Sequence, residues 1–168
     1  MPSTNLSAIA EEIRRITAQV VWCTATTVGP DGRPRSRILH PIFEVRSDRP
    51  VGWVVTVRGG VKALHLAGNP HVACSYWNPA QDTVQLDCVA SWVDDAAEKE
   101  AVFELFSSTP PPLGFDLSGY GPEGAANEHF TPLRLDAWRA QLLDAESFAA
   151  HRYEPYVWSD RSLLSARG

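Results

Sequence analysis

The sequence predicts a single mainly β domain with flanking helices, and three observations carry that prediction. Six segments rich in Val, Thr, Leu and Trp are separated by Gly, Pro, Asn and Asp turn signals. Most of these segments are apolar or semi-polar on both faces, as strands are when one face fills a barrel and the other packs on helices or a second subunit. With 168 residues, 44% of them hydrophobic, the chain fits one domain over residues 1–168 with a substantial core.

The elements follow in order. Leu6, Ile9, Ala10, Ile13, Ile16 and Val20 recur at three- and four-residue intervals, so residues from Asn5 to Ala18 form an amphipathic helix. Val20 to Val28 reads as a strand, and Gly29-Pro30-Asp31-Gly32 has Pro second and Gly fourth, the pattern of a type I turn. The return strand spans Arg33 to Val45, the polar turn Arg46 to Pro50, and a third strand Val51 to Val57. Strands at His71 to Trp77 and Thr83 to Val93 flank a turn at Asn78-Pro79. Asp95 with Glu98 resembles a capping box, opening a helix with Ala97, Ala101, Val102, Leu105 and Phe106 on one stripe up to Ser107. Ser108 to His129 holds four prolines and four glycines, too long for a mere connection and read as a lid or dimer arm. Phe130 to Leu142 supplies the sixth strand.

Composition excludes several functions. A formal charge of -5 gives no footprint for nucleic acid or anionic lipid, so neither a nucleic-acid nor a membrane partner is expected. Cys23, Cys74 and Cys88 lie on strand-like segments without metal-ligand spacing, which fits buried free thiols in a reducing compartment. Glu11, Glu12, Arg14 and Arg15 interrupt the N-terminal apolar pattern, so the expectation is a cytoplasmic protein. No Gly-x-Ser-x-Gly elbow, Walker loop or metal set of histidines is present in the sequence.

The chemistry-bearing stretch is Val55-Thr56-Val57-Arg58-Gly59-Gly60-Val61-Lys62, running through Ala63, Leu64, Leu66 and Ala67 to Asn69-Pro70. The glycine pair ends a strand, and a short helix follows until Pro70 stops it. Lys62 falls in the first helical turn, where the macrodipole and free amides disfavour a cation and favour an anion. A bound phosphate reverses that penalty. Arg33, Arg35 and Arg37 share one strand face at the two-residue period, roughly 7 Å apart. Arg33, beside the turn, reads as solvated, whereas the Arg37 guanidinium suits two phosphate oxygens. Thr56 is either an ordinary strand threonine or a hydroxyl near that phosphate. Gln85, between Val84 and Leu86, needs a partner if buried, and Asp87 beside it equally suits a wet face. His40 precedes Pro41 at a bend and is either a ring contact or a core histidine.

From Ile16 to Leu143 the chain resembles the pyridoxamine 5'-phosphate oxidase-like, FMN-binding split-barrel family. Arg37 with Ile38 and Leu39 matches its Arg-led strand, Val55-Thr56 its strand-end pair, Lys62-Ala63 with Asn69-Pro70 its phosphate-binding helix, and Leu133-Arg134-Leu135 before Trp138-Arg139 its late strand. The resemblance implies a six-stranded antiparallel split β-barrel of Greek-key topology, a homodimer, and FMN at the subunit interface. It implies that Arg37, Thr56 and Lys62 hold the phosphate, with Arg35 and Val55 as further contacts. The backbone of Ile38, Leu39 and His40 and the Gln85 side chain then meet the flavin ring, and Trp138 is the aromatic best placed to stack on it.

Two departures thin that grip: Val61 replaces a second cationic contact, and Ile42 stands where the Arg-led strand ends in lysine. The tail from Arg152 to Gly168 lacks the arginine- and histidine-bearing segment of the true oxidase, which argues against vitamin B6 oxidation. The expected function is a flavin-dependent oxidoreductase moving hydride to or from a small planar substrate, with no side chain required as nucleophile and no metal. The alternatives are a reductase using an 8-hydroxy-5-deazaflavin coenzyme, a non-catalytic flavin or tetrapyrrole binder of a stress response, and a structural dimer that has lost its ligand.

Overall fold

Leu6, Ile9, Ile13 and Ile16 form the buried stripe of helix α1 (Leu6–Val20), which Asn5 caps by accepting the Ser7 N–H at 3.2 Å. The computed structural model describes residues 4–46, 48–160 and 162. Ser47, within the predicted Arg46–Pro50 turn, and residues 161 and 163–168 of the predicted tail lie outside them.

Strands β1 (Cys23–Val28) and β2 (Pro34–Leu39) pair antiparallel across the expected turn, where Gly32 N–H donates to Gly29 O at 2.9 Å. The single predicted return strand is in fact two, β2 and β3 (Pro41–Val45), divided at His40. Pro41 has no N–H to continue the first ladder, so the chain leaves one edge and starts another. β4 (Pro50–Val54) ends three residues before the predicted Val57, and helix α2 (Gly60–Gly68) follows. β5 (His71–Trp77), β6 (Thr83–Trp92), β7 (Leu133–Leu143) and β8 (Tyr156–Ser159) complete the sheet. There are thus eight described strands rather than six, because one prediction splits and the four-residue β8 was too short to signal itself.

All pairings are antiparallel, in the order β2-β1-β5-β6-β7-β4-β3, with β8 added to β7. β2 and β3 therefore lie at opposite ends of the order, yet only His40 stands between them. One intervening residue spans about 7 Å, so the sheet must curl until its two edges meet. The result is a mainly β, curled antiparallel sheet with flanking helices, split along the β2/β3 seam.

Inside, Cys23, Ala25, Val72, Cys74, Tyr76, Val84, Leu86, Cys88, Leu135 and Ala137 pack with the stripe of α1. The three cysteines are buried free thiols. Between the pairs Asp87↔Arg139 and Cys88↔Ala137, β7 holds one extra residue, Trp138. This bulge shifts the alternation, which is why Ala137 and Ala140 are both buried while Trp138 lies on the outer face.

A second core, of Ile42, Val51, Trp53, Val93, Val102, Phe106, Leu117, Ala125 and Phe130, lies between the sheet and helix α3 (Ala96–Ser108). Asp95 caps α3 by accepting the Glu98 N–H at 2.8 Å, but only Val102 and Phe106 of the predicted stripe are buried; Ala97 and Ala101 are exposed. The Pro- and Gly-rich stretch folds back on α3 and contributes Leu117 and Ala125 to this core. Phe115 N–H donates to Phe106 O at 3.2 Å, and a Cβ at Gly114 would overlap the carbonyl oxygens of Thr109 and Phe106.

Phe106, with no exposed surface, anchors both the helix and the loop. Phe106→Ala should lower the unfolding free energy by about 3–5 kcal/mol in urea titrations. Gly114→Ala should destabilise as well, although it adds only a methyl group, because backbone has to move to admit it.

Candidate functional site

Two basic side chains from distant parts of the sequence come together beside α2. Lys62, in its first turn, donates from Nζ to Thr56 Oγ1 at 2.8 Å and to Val57 O at 2.9 Å. Its ammonium also lies 5.4 Å from the centre of the Trp92 ring, and Arg58 lies 5.3 Å from the same ring while pairing with Asp94 at 2.8 Å. Thr131 holds this turn: its hydroxyl donates to Thr56 O and accepts the Arg58 N–H, both at 3.0 Å. On β2, Arg37 sits opposite Ala25 and reaches diagonally to Thr27, donating from Nη1 to Oγ1 at 2.8 Å. The Thr27 hydroxyl in turn bonds His65 Nδ1 on α2 at 2.9 Å.

Electrostatically this is an unbalanced site. Burial and then the nearby charge of Arg37 lower the pKa of Lys62 below its ordinary value, and burial lowers that of Arg37. Among the described residues neither cation makes an ion pair. Two half-buried like charges cost free energy, and an anion placed between them removes both the desolvation and the repulsion. The donors present are an ammonium, a guanidinium and helix amides, a set suited to phosphate.

The other sequence candidates divide by location. Arg35 is exposed, and among the described residues its side chain bonds only Pro34 O, at 3.4 Å. Val55 packs against the second core, and Leu39 against the first. Ile38 is 64% exposed on the outer face, where the register carries it through Thr24 and Ser75 to Gln85, also exposed. Trp138 lines a shallow outer groove with Thr26, His71, Ala73 and Asp87. Gln85 and Trp138 are thus on the sheet's outer surface, away from Arg37 and Lys62, which lie on the α2 side of β1 and β2.

His40 faces the folded-back loop. Its Nε2 bonds Leu113 O at 2.7 Å, and its ring packs against Trp22, Phe106 and Phe115. A carbonyl only accepts, so Nε2 carries the hydrogen. Sequence reasoning missed Thr27, His65, Trp92 and Thr131 as neighbours of the cations. Two of them were findable: Thr27 shares the inward parity of Cys23 and Ala25, and His65 is one helical turn after Lys62. Trp92 and Thr131 arrive only through tertiary packing. Among the described residues no group of His, Cys, Asp and Glu could hold a metal, and no helix is long and apolar enough to cross a membrane.

With this geometry established, comparison with known proteins gives the class. The family described as pyridoxamine 5'-phosphate oxidase matches residues 9–141, most of the chain. No curated protein matches in sequence. Among solved structures, a Clostridium acetobutylicum protein related to general stress protein 26 of B. subtilis superposes with a TM-score of 0.64 at 14% identity, covering 90% of this chain and 94% of that one. A pyridoxamine 5'-phosphate oxidase-related, FMN-binding protein from Nostoc punctiforme gives 0.57 at 18% identity, covering 87% and 88%. A NimC/NimA family protein, also from Clostridium acetobutylicum, gives 0.60 at 14% identity, covering 90% and 93%. At these identities the structures share a fold. The family match goes further: this chain belongs to the pyridoxamine 5'-phosphate oxidase-related, FMN-binding split-barrel family.

Burial lowers the pKa of His40, partly offset by the Leu113 carbonyl. In the unfolded chain its value returns to about 6.5, so below that pH the unfolded state binds more protons and stability falls as pH drops. Thermal unfolding between pH 7.5 and 5.5 should show this loss, and His40→Gln, a neutral donor, should lessen it.

Proposed function

We propose that this protein is a flavin-dependent oxidoreductase that holds FMN by its phosphate between Lys62 and Arg37. The observation that carries this reading is the convergence beside α2 of those two cations, neither of which makes an ion pair among the described residues. Thr56 orients the Lys62 ammonium, and Thr27 orients the Arg37 guanidinium. The bound flavin would supply hydride transfer to or from a small planar substrate; the protein's part is to anchor, orient and cover it.

The ring end of the cofactor is assigned to the backbone of Ile38–His40 and the outer sheet face beside it. A second copy of the chain laid on that face would cover Ile38 and Trp77, the latter 55% exposed, and bring in its own Gln85 and Trp138. The reading therefore includes a homodimer with the cofactor at the interface. The 8-hydroxy-5-deazaflavin coenzyme also bears phosphate, so the same grip serves the alternative reductase. A binder without turnover would share the grip and differ only in lacking hydride transfer.

Titration of the protein with FMN, riboflavin and the deazaflavin coenzyme separates these readings. FMN should bind at least tenfold more tightly than riboflavin, and Lys62→Ala or Arg37→Ala should remove most of that difference, each charged hydrogen bond contributing about 1.5–3 kcal/mol. Equal affinity for FMN and riboflavin in the wild type would sink the phosphate assignment. Bleaching of the bound flavin by reduced nicotinamide, followed by reoxidation with an acceptor, distinguishes the enzyme from the binder.

A further inference from the structure

A third cation borders the grip from the turn that leads into α2. Arg58 immediately precedes the N-cap Gly59, and Lys62 lies in the first turn of α2, so the two basic residues flank one helix start. Both charged heads lie against the Trp92 ring, Arg58 at 5.3 Å and Lys62 at 5.4 Å from its centre. Gly59 offers that helix start no side-chain acceptor, and Val61 beside it carries no charge. A helix N-terminus disfavours cations, and an anion placed there suits the free amides and both basic heads.

The main chain of Arg58 is fixed, whereas its side chain is held loosely. Its N–H donates to Thr131 Oγ1 at 3.0 Å, and the Thr131 hydroxyl donates to Thr56 O at the same distance. The base of the side chain is thus tied to the residue whose hydroxyl receives Lys62. The guanidinium makes one hydrogen bond among the described residues, from Nη1 to Asp94 Oδ1 at 2.8 Å. That pair is open to water, with the side chain of Arg58 46% exposed and that of Asp94 72%. Such a pair holds weakly, because solvent screens it and both side chains lose freedom. The Trp92 face attracts the cation without neutralising it. A phosphate monoester, by contrast, carries close to two negative charges at neutral pH, and a guanidinium can meet two of its oxygens at once.

Resting on the assignment of this site to phosphate, we infer that Arg58 is a further phosphate ligand: when a phosphate monoester binds beside Lys62, the Arg58 guanidinium exchanges the Asp94 carboxylate for the phosphate oxygens. Asp94 is then an internal competitor that occupies Arg58 until the ligand arrives. Arg37 and Lys62 are held by neutral partners and need no such release. The exchange lets one dianion draw on three cations, from β2, from the turn after β4 and from α2. A flavin without the phosphate gains nothing from it.

The test uses the full chain, with FMN and riboflavin as probes. Arg58→Gln should weaken FMN binding about tenfold, as loss of one charged hydrogen bond predicts, and leave riboflavin unchanged. Asp94→Asn should act in the opposite direction, tightening FMN by up to about fivefold, the strength of an exposed ion pair. In the Arg58→Gln background the same Asp94→Asn change should have no effect, since no guanidinium is left to release. Asp94 is exposed, so its variant reads the exchange even if Arg58→Gln does not fold. An Asp94→Asn variant that binds FMN no better than wild type would overturn the exchange, as would a tightening that persists without Arg58. Discrimination of FMN from riboflavin that Lys62→Ala removes and Arg58→Gln leaves intact would overturn this inference alone. A wild type that binds the two flavins equally would overturn the phosphate site with it.

Discussion

A single residue, His40, joins strands that lie at opposite edges of the sheet, and the arrangement of the site depends on that closure. Arg37 and Thr27 belong to the β1–β2 edge, whereas Thr56, Lys62 and Trp92 gather around the chain leaving β4, near the other edge. On a flat sheet Arg37 on β2 and the chain leaving β4 would be separated by five strand spacings of about 4.8 Å each. Curling brings the edges together, and α2 crosses the seam to place His65 against Thr27. The imidazole of His40 meanwhile holds the folded-back loop at Leu113, so the residue that closes the sheet also ties down the second core.

Across that seam the electrostatics are deliberate in their imbalance. Several arginines elsewhere are paired: Arg15 with Glu12 and Asp82, Arg49 with Asp160, Arg134 with Glu98 and Asp136. Arg37 and Lys62 instead are held by neutral acceptors, a threonine hydroxyl each and a backbone carbonyl. Neutral partners orient a cation without satisfying its charge, which leaves the attraction for an anion available. Val61 is 55% exposed and contributes no charge there, while Arg58, three residues earlier, lies over the Trp92 ring that Lys62 also faces.

Much of this was legible from sequence because it is local. The stripe of α1, the Gly29–Gly32 turn, the Asp95 cap and the position of Lys62 in the first turn of α2 all depend on residues within a few positions of one another. The misread boundaries have physical causes. Pro41 ends one ladder and begins another inside what looked like one apolar run, and β4 stops at Val54 because its neighbour β7 pairs only with Val51 to Val54.

What the amino-acid order determined by itself was therefore the set of short-range elements and the residue types suited to an anion, including Arg37, Thr56 and Lys62. Tertiary structure alone decided which of the candidates meet. It joined Arg37 to His65 through Thr27, set Trp92 and Thr131 beside the lysine, and turned Gln85 and Trp138 to the outer face through register and a one-residue bulge. The reason is that helix and turn formation draw on neighbours in sequence, whereas strand pairing across a closed sheet is settled by the packing of the whole core.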